Sequence, residues 1–170
     1  GGLAEDGSYE MRIRRDHLPP APWANVIANA RGGCIVTERG PACAWVANAQ
    51  FYRLTPWRKD PVSDERSDAL YLRDEETGDL WSPTPAPVRR GGAYTARHSA
   101  GRTVFHHARG GIESRLTIGM ATTDPVRLAL LRLTNHDRRE RRVSLTSYTE
   151  WTLGPLREHT QHQVVTAVDG

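Results

Sequence analysis

Lysine is almost absent from this sequence: one Lys, Lys59, stands among 23 basic residues, so the pI of about 9.2 rests on arginine. Surfaces that track a phosphate backbone usually divide that work between Lys and Arg, and the net charge is only +3. The bias therefore reads as genomic composition and not as a nucleic-acid surface. Cysteine is scarce as well. Cys34 and Cys43 stand alone, with no C-x-x-C and no His at ligand spacing, so no zinc site can be built on them. They flank the turn signal Glu38-Arg39-Gly40-Pro41, which leaves two readings open: a disulfide across a hairpin, or two buried free thiols. Long apolar runs are missing, mean hydropathy is -0.60, and no stretch approaches the roughly 20 residues that span a bilayer. Also missing are the G-x-S-x-G elbow, the P-loop, the G-x-G-x-x-G fingerprint and H-E-x-x-H. The chain opens on Gly1-Gly2-Leu3 without Met, basic n-region or apolar h-region, and it ends on the turn pair Asp169-Gly170. It reads as a piece of a larger protein.

What is present is strand periodicity. Tyr9, Met11 and Ile13 alternate with Glu10, Arg12 and Arg14, and Ile112, Ser114, Leu116 and Ile118 alternate with Glu113, Arg115 and Thr117. The same reading gives strands at 23–28, 33–37, 42–46, 69–73, 80–82, 94–98 and 103–106. His17-Leu18-Pro19-Pro20-Ala21-Pro22 and Ser82-Pro83-Thr84-Pro85-Ala86-Pro87 are extended connectors, because their prolines forbid helix and central strand. Val126–Thr134 and Val143–Trp151 read as a β-hairpin whose solvated tip carries Arg138-Arg139-Glu140-Arg141-Arg142. Within its first strand the apolar parity switches between Leu130 and Leu131, which predicts a bulge or burial on both faces. No helical window of useful length survives. Gly and Pro recur at the spacing of an all-β antiparallel sandwich, and 170 residues suffice for one such domain or part of one.

The candidate site lies in 44–64, where Trp45, Phe51, Tyr52 and Trp57 are interleaved with Asn48, Gln50, Arg53, Arg58, Lys59 and Asp60. Aromatic faces stack on the C–H face of a pyranose while Asn, Gln, Arg and Asp direct hydrogen bonds, so Trp45, Asn48, Gln50, Arg53, Trp57 and Asp60 are the substrate-binding candidates. Pro56 and Pro61 extend the residues before them, which predicts a projecting rigid finger. The competing reading makes Trp45 and Trp57 ordinary core aromatics. Two His pairs carry less. His106 and His107 must point to opposite faces of a strand, and His159 with His162 would share a face only on a helix, so in extended chain they hold no metal.

Further motifs point to a family. Trp45-x-x-Asn48-x-x-x-x-Arg53-Leu54-Thr55-Pro56-Trp57-x-x-Asp60-Pro61-Val62-Ser63-Asp64 is followed by Ala69-Leu70-Tyr71-Leu72-Arg73-Asp74-Glu75-Glu76-Thr77-Gly78 and Leu80-Trp81-Ser82-Pro83-Thr84. With Ala21-Pro22-Trp23-x-Asn25-Val26-Ile27-Ala28-Asn29 and Glu150-Trp151-x-Leu153-Gly154, this resembles the phosphorylase region of cyclic β-1,2-glucan synthases. That region belongs with the cellobiose and chitobiose phosphorylases, family 94 of the glycoside hydrolases, formerly family 36 of the glycosyltransferases. The resemblance implies an N-terminal β-supersandwich of the galactose-mutarotase and glucoamylase type, of which this chain is the first part. It implies that the general acid and the phosphate-binding residues lie in a following (α/α)6 barrel, with inorganic phosphate as co-substrate and no cofactor. The sandwich would contribute homodimer contacts and a loop over the sugar on the leaving-group side, for which Arg53 with Trp57 is the best match. Gln50-Phe51-Tyr52 and Arg58-Lys59 depart from the expected pattern. A cytoplasmic location follows, in a parent protein anchored in the inner membrane. On this reading the isolated chain is inactive and binds β-glucan oligosaccharides weakly. A free-standing carbohydrate-binding module is the alternative class, and it would carry a complete sugar platform.

Overall fold

Alternation along the strands decides which side chains meet. In the structure, a computed structural model that describes residues 1–14, 19–57 and 67–168, Ile112, Ser114, Leu116 and Ile118 are all buried while Arg115 is exposed. Among the described residues twelve strands follow in order: β1 (Gly2–Leu3), β2 (Tyr9–Ile13), β3 (Ala24–Asn29), β4 (Gly32–Thr37), β5 (Gly40–Val46) and β6 (Asp68–Asp74). Then come β7 (Leu80–Trp81), β8 (Tyr94–Ser99), β9 (Arg102–Arg109), β10 (Ile112–Met120), β11 (Arg127–Asn135) and β12 (Val143–Thr149). Every pair is antiparallel. One layer is a six-stranded sheet in the order β1-β2-β8-β9-β10-β11; against it pack two three-stranded sheets, β3-β4-β5 and β12-β6-β7.

The core lies between these layers. Met11, Ile13, Tyr94, Phe105, Leu116 and Ile118 from the large sheet meet Ile27, Cys34, Val36 and Ala44 from β3-β4-β5. A second cluster joins Ile112 to Leu72 and Trp81 of the other small sheet. Each fully buried Leu, Ile or Phe contributes about 1.5–3 kcal/mol, so these clusters are the main support of the sandwich. β3 is an edge strand, and its side-chain amides tie it to the opposite layer: Asn25 Nδ2 donates to the carbonyls of Ser99 and Arg102, and Asn29 Nδ2 to those of Ala121 and Asp124.

Several expectations change. β11 and β12 are not a hairpin. β11 pairs with β10 in the large sheet and β12 with β6 in a small one, so residues 136–142 cross between layers. Arg141 explains the crossing: it bonds Asp74 and Asp137, donates to Gly110 O at 2.8 Å, and its side chain is only 8 % exposed. The arginine run is solvated at Arg138, Arg139, Glu140 and Arg142, but it is no hairpin tip, and Arg141 is the buried anchor of the connection. Nor does the parity switch at Leu130 mark a bulge. The β10–β11 register is unbroken, Thr117 opposite Leu130 and Leu116 opposite Leu131, and Leu130 faces outward at 68 % exposure.

Helix among the described residues is confined to two short turns. Residues Arg157–Thr160 form one α-turn and Gln161–Gln163 a 3₁₀ turn, held by Thr160 Oγ1 donating to the carbonyls of Thr152 and Leu156. A single turn fixed by one tertiary hydroxyl leaves no periodicity to read. His159 and His162 thus lie in helical chain, yet among the described residues no cluster of three metal-ligating side chains forms. Cys34 and Cys43 are free and buried. Cys34 stands opposite Ala44 and Cys43 opposite Ile35, a one-residue offset that sends the two thiols to opposite faces of the hairpin. Burial pushes both thiols up to about 11.

Candidate functional site

The stretch from Ala44 to Trp57 does not project. After β5 the chain turns at Ala47, which takes a left-handed φ of 55° and donates its N–H to Arg31 O at 2.7 Å. Asn48 Oδ1 accepts from the N–H groups of Gln50 (2.8 Å) and Phe51 (3.2 Å), an Asx turn that reverses the chain. Arg53 then returns beside Trp45 as a β-bridge, and Leu54 donates to Ala44 O at 2.9 Å. Buried Thr55 completes the tie, its Oγ1 accepting from Ala44 N–H at 2.9 Å. On the other side Thr152 N–H reaches Leu54 O and Gly154 N–H reaches Arg53 O, both at 2.9 Å. Residues 53–55 are thus stitched between β5 and the segment after β12, where a rigid finger was expected.

Between these two segments lies an open groove of about 410 Å³. Pro56, Trp57, Pro155 and Leu156 form its apolar lining, and Arg53, Glu150, Arg157 and Glu158 its charged one. The Arg53 guanidinium donates from Nε to Ala49 O at 2.8 Å and from Nη1 to Pro155 O at 3.0 Å, so it crosslinks both walls. Its Cζ lies 5.8 Å from the Trp57 ring centroid, a cation–π contact that orients an indole still 39 % exposed. Arg157 pairs with Glu150. Leu153, beside the groove, takes a left-handed φ of 51°; with Ala47 it makes the two described non-glycine residues in that strained region, one in each segment.

Of the six candidates, the structure brings Arg53 and Trp57 together. Trp45 stands opposite Gly33 on β4, with its ring against the glycine, away from the groove lining. Asn48 and Gln50 belong to the turn. Asp60, with Arg58, Lys59 and Pro61, lies outside the described residues, as do His17 and Leu18 of the first connector. Reasoning from local sequence missed Glu150, Pro155, Leu156, Arg157 and Glu158, which come from about a hundred residues downstream. The one available signal was the motif Glu150-Trp151-x-Leu153-Gly154, whose Gly154 leaves room for Thr160: a Cβ there would lie 2.8 Å from Thr160 Cγ2.

The family model described as the glycosyl hydrolase 94 supersandwich domain matches residues 7–170. The chain belongs to the glycosyl hydrolase 94 supersandwich family. It is 34% identical over 171 residues to a cyclic beta-(1,2)-glucan synthase NdvB from Rhizobium meliloti (strain 1021), covering 99% of this chain and 6% of that protein. It is 24% identical over 167 residues to an N,N'-diacetylchitobiose phosphorylase from Vibrio furnissii, covering 96% of this chain and 21% of the relative. A solabiose phosphorylase from Paenibacillus borealis is 33% identical over 94 residues, 55% of this chain and 12% of that protein. The chain thus spans about a fifth or less of the length of the curated relatives it matches. As a supersandwich it places the groove at one end of β5, where residues from two distant stretches of sequence converge.

Proposed function

We propose that this supersandwich is the non-catalytic sandwich of a β-glucan phosphorylase or cyclic β-1,2-glucan synthase, with the Arg53–Trp57 groove as one wall of the site for the departing sugar. A following (α/α)6 barrel supplies the other wall, the general acid and the phosphate site; inorganic phosphate is a co-substrate there and no cofactor is needed. Contacts between two copies, and a cytoplasmic setting in a parent anchored in the inner membrane, belong to the same reading. Among the described residues no helix is long and apolar enough to cross a membrane, so an anchor would come from elsewhere in the parent.

The observation that carries this reading is the half-exposed Trp57, held against Arg53 in an open groove, in a family whose relatives are named for acting on glycosides. The energetics fit one wall only. A stacked aromatic is worth about 1 kcal/mol beyond area and a charged hydrogen bond about 1.5–3 kcal/mol, against an association cost of at least about 4 kcal/mol. The isolated chain should therefore bind linear β-1,2-gluco-oligosaccharides no better than about millimolar, and release no sugar phosphate from them. Calorimetric titration tests the first point: a micromolar complex abolished by Trp57→Ala would overturn the proposal and favour a free-standing binding module.

A further inference from the structure

The core takes up the inner face of the six-stranded sheet, and the pairing register shows what the outer face carries. Arg12 on β2 stands opposite Thr95 on β8, Thr95 opposite His106 on β9, His106 opposite Arg115 on β10, and Arg115 opposite Arg132 on β11. Residues paired in this way share a face and lie about 4.8 Å apart from strand to strand. The five therefore form one row across the sheet, guanidinium groups and an imidazole with no carboxylate among them. Arg102 lies on the same face two rows away, opposite Gly119, which in turn faces Leu128. The acids on the described strands of this face are Glu10 and Glu113, and both are taken: Arg97 lies 3.4 Å from Glu10, and His136 Nε2 lies 2.8 Å from Glu113. Arg12, Arg102, Arg115 and Arg132 are exposed, and none pairs with an acid among the described residues. Like charges directly opposite one another destabilise a sheet, so Arg115 beside Arg132 costs the fold stability. The net charge of +3 conceals this patch, because arginines elsewhere, such as Arg127 and Arg141, are answered by Asp68 and Asp74. Apolar side chains adjoin it. Leu130 stands opposite Thr117 and Leu128 opposite Gly119, which puts both leucines on the outer face, 68% and 54% exposed.

We propose that the outer face of β9-β10-β11 is a docking surface for an anionic phospholipid bilayer, with Arg102, Arg115 and Arg132 against the headgroups and Leu128 and Leu130 at the acyl boundary. The chemistry of the face selects this occupant. An exposed guanidinium gains little from one small anion, so a free phosphate would have to repay its whole association cost with a few weak pairs. A bilayer presents many headgroup phosphates at once, and the attractions of basic residues near its surface add. A nucleic-acid backbone would answer the arginines but give the leucines nothing to bury against, whereas a bilayer interface takes both kinds of side chain. The guanidinium fork matches a phosphate with two parallel hydrogen bonds, so a patch built from Arg without Lys suits headgroups. The proposal rests neither on the Arg53–Trp57 groove nor on an anchor elsewhere in the parent protein, and its test reads neither.

The test uses the protein expressed from its complete gene, mixed with vesicles or, where it carries an anchor, reconstituted into them. Leu130→Cys is labelled with an environment-sensitive maleimide fluorophore; Cys34 and Cys43 are buried, and the protein without the substitution is the labelling blank. With vesicles containing phosphatidylglycerol the emission should shift to the blue, and high salt should reverse the shift by screening the headgroup charge. Phosphatidylcholine alone should leave the emission unchanged. So should either vesicle when the label sits at Val26→Cys, an exposed position on the opposite layer. Arg115→Gln combined with Arg132→Gln should lower the ratio of shifted to unshifted label roughly thirtyfold, the loss of two charges facing the headgroups. The urea midpoint of that double variant should not fall, because the two arginines repel each other in the fold. The proposal is overturned by the absence of a shift with phosphatidylglycerol, by an equal shift with phosphatidylcholine alone, or by an equal shift at Val26→Cys. A lowered midpoint also overturns it, since the protein itself would then answer these arginines. So does a shift that polyglutamate or duplex DNA produces and phosphatidylglycerol does not, which would assign the face to an acidic macromolecule.

Discussion

Two arginine-bearing connections, 47–57 and 136–142, do opposite work. Arg141 is enclosed by carboxylates: it bonds Asp74 and Asp137, and its side chain is nearly inaccessible. Arg53 instead donates to two backbone carbonyls, from Ala49 and Pro155, and lies against an indole that remains open to solvent. The first arrangement saturates the charge and fixes where β12 begins. The second uses the guanidinium as a brace and leaves an aromatic face and a groove beside it. An arginine in a connection is therefore structural where acids answer it, and a candidate for recognition where the backbone does.

The sharpest way to break this contrast is Arg141→Met. The substitution keeps the aliphatic volume but leaves Asp74 buried without its cation, so it should lower the urea midpoint further than any substitution in the groove. Acid should do the same gradually. The Arg141 guanidinium, helped by N–H groups of Glu76 and Thr77, lowers the Asp74 carboxyl from 3.8 to about 2. Because the folded value is depressed, its contribution is complete above about pH 4 and is lost as pH falls towards about 2. Denaturation midpoints between pH 5 and 2 should therefore fall more steeply in the wild type than in Arg141→Met. Parallel curves would show that Arg141 is not what holds this carboxylate.

Arg53→Ala comes next. It removes two charged hydrogen bonds, the one to Pro155 O across the groove, and should cost about 1.5–3 kcal/mol. Arg53→Lys should recover only part of this, since an ammonium lacks the fork that reaches both Ala49 O and Pro155 O. Full recovery would make Arg53 a point charge and not a brace. Gly33→Ala tests Trp45 at a smaller scale. A Cβ at position 33 would collide with the Trp45 ring and with Ala28 Cβ, 2.8 Å away, so the indole must shift at a cost of about 1–2 kcal/mol. Near-UV circular dichroism should change with it.

What the sequence could show follows from the range of the interactions. The strands were legible because alternation is local: Met11 and Ile13, or Leu116 and Ile118, report their face two residues at a time. The connection between β11 and β12 was not, since its path is set by Asp74, 67 residues before Arg141. In the groove, Arg53 and Trp57 were legible as residue types, and the family motif placed them. Their opposite wall was not, because Pro155 and Leu156 reach them only through the pairing of Thr152 and Gly154 with residues 53–54. The one-turn helix at Arg157–Thr160 escaped for the same reason, being held by a hydroxyl that finds Thr152 O in the folded chain.

The smallest effect on stability should come from the residue of greatest functional interest. Trp57 is partly exposed at the groove, so Trp57→Ala should change the unfolding free energy chiefly through the lost contact with Arg53, by about 0.5–1 kcal/mol. If the groove is one wall of a sugar site, the same variant in the complete enzyme should raise KM for the glucan acceptor by roughly five- to tenfold, the loss of about 1 kcal/mol of stacking together with the apolar area it covers. With kcat little changed, the loss would be one of uniform binding. A variant that instead unfolds with Arg53→Ala's severity, while KM stays fixed, would place Trp57 with Trp45 among the structural aromatics. The groove would then be a seam of the fold, and the contrast with Arg141 would disappear.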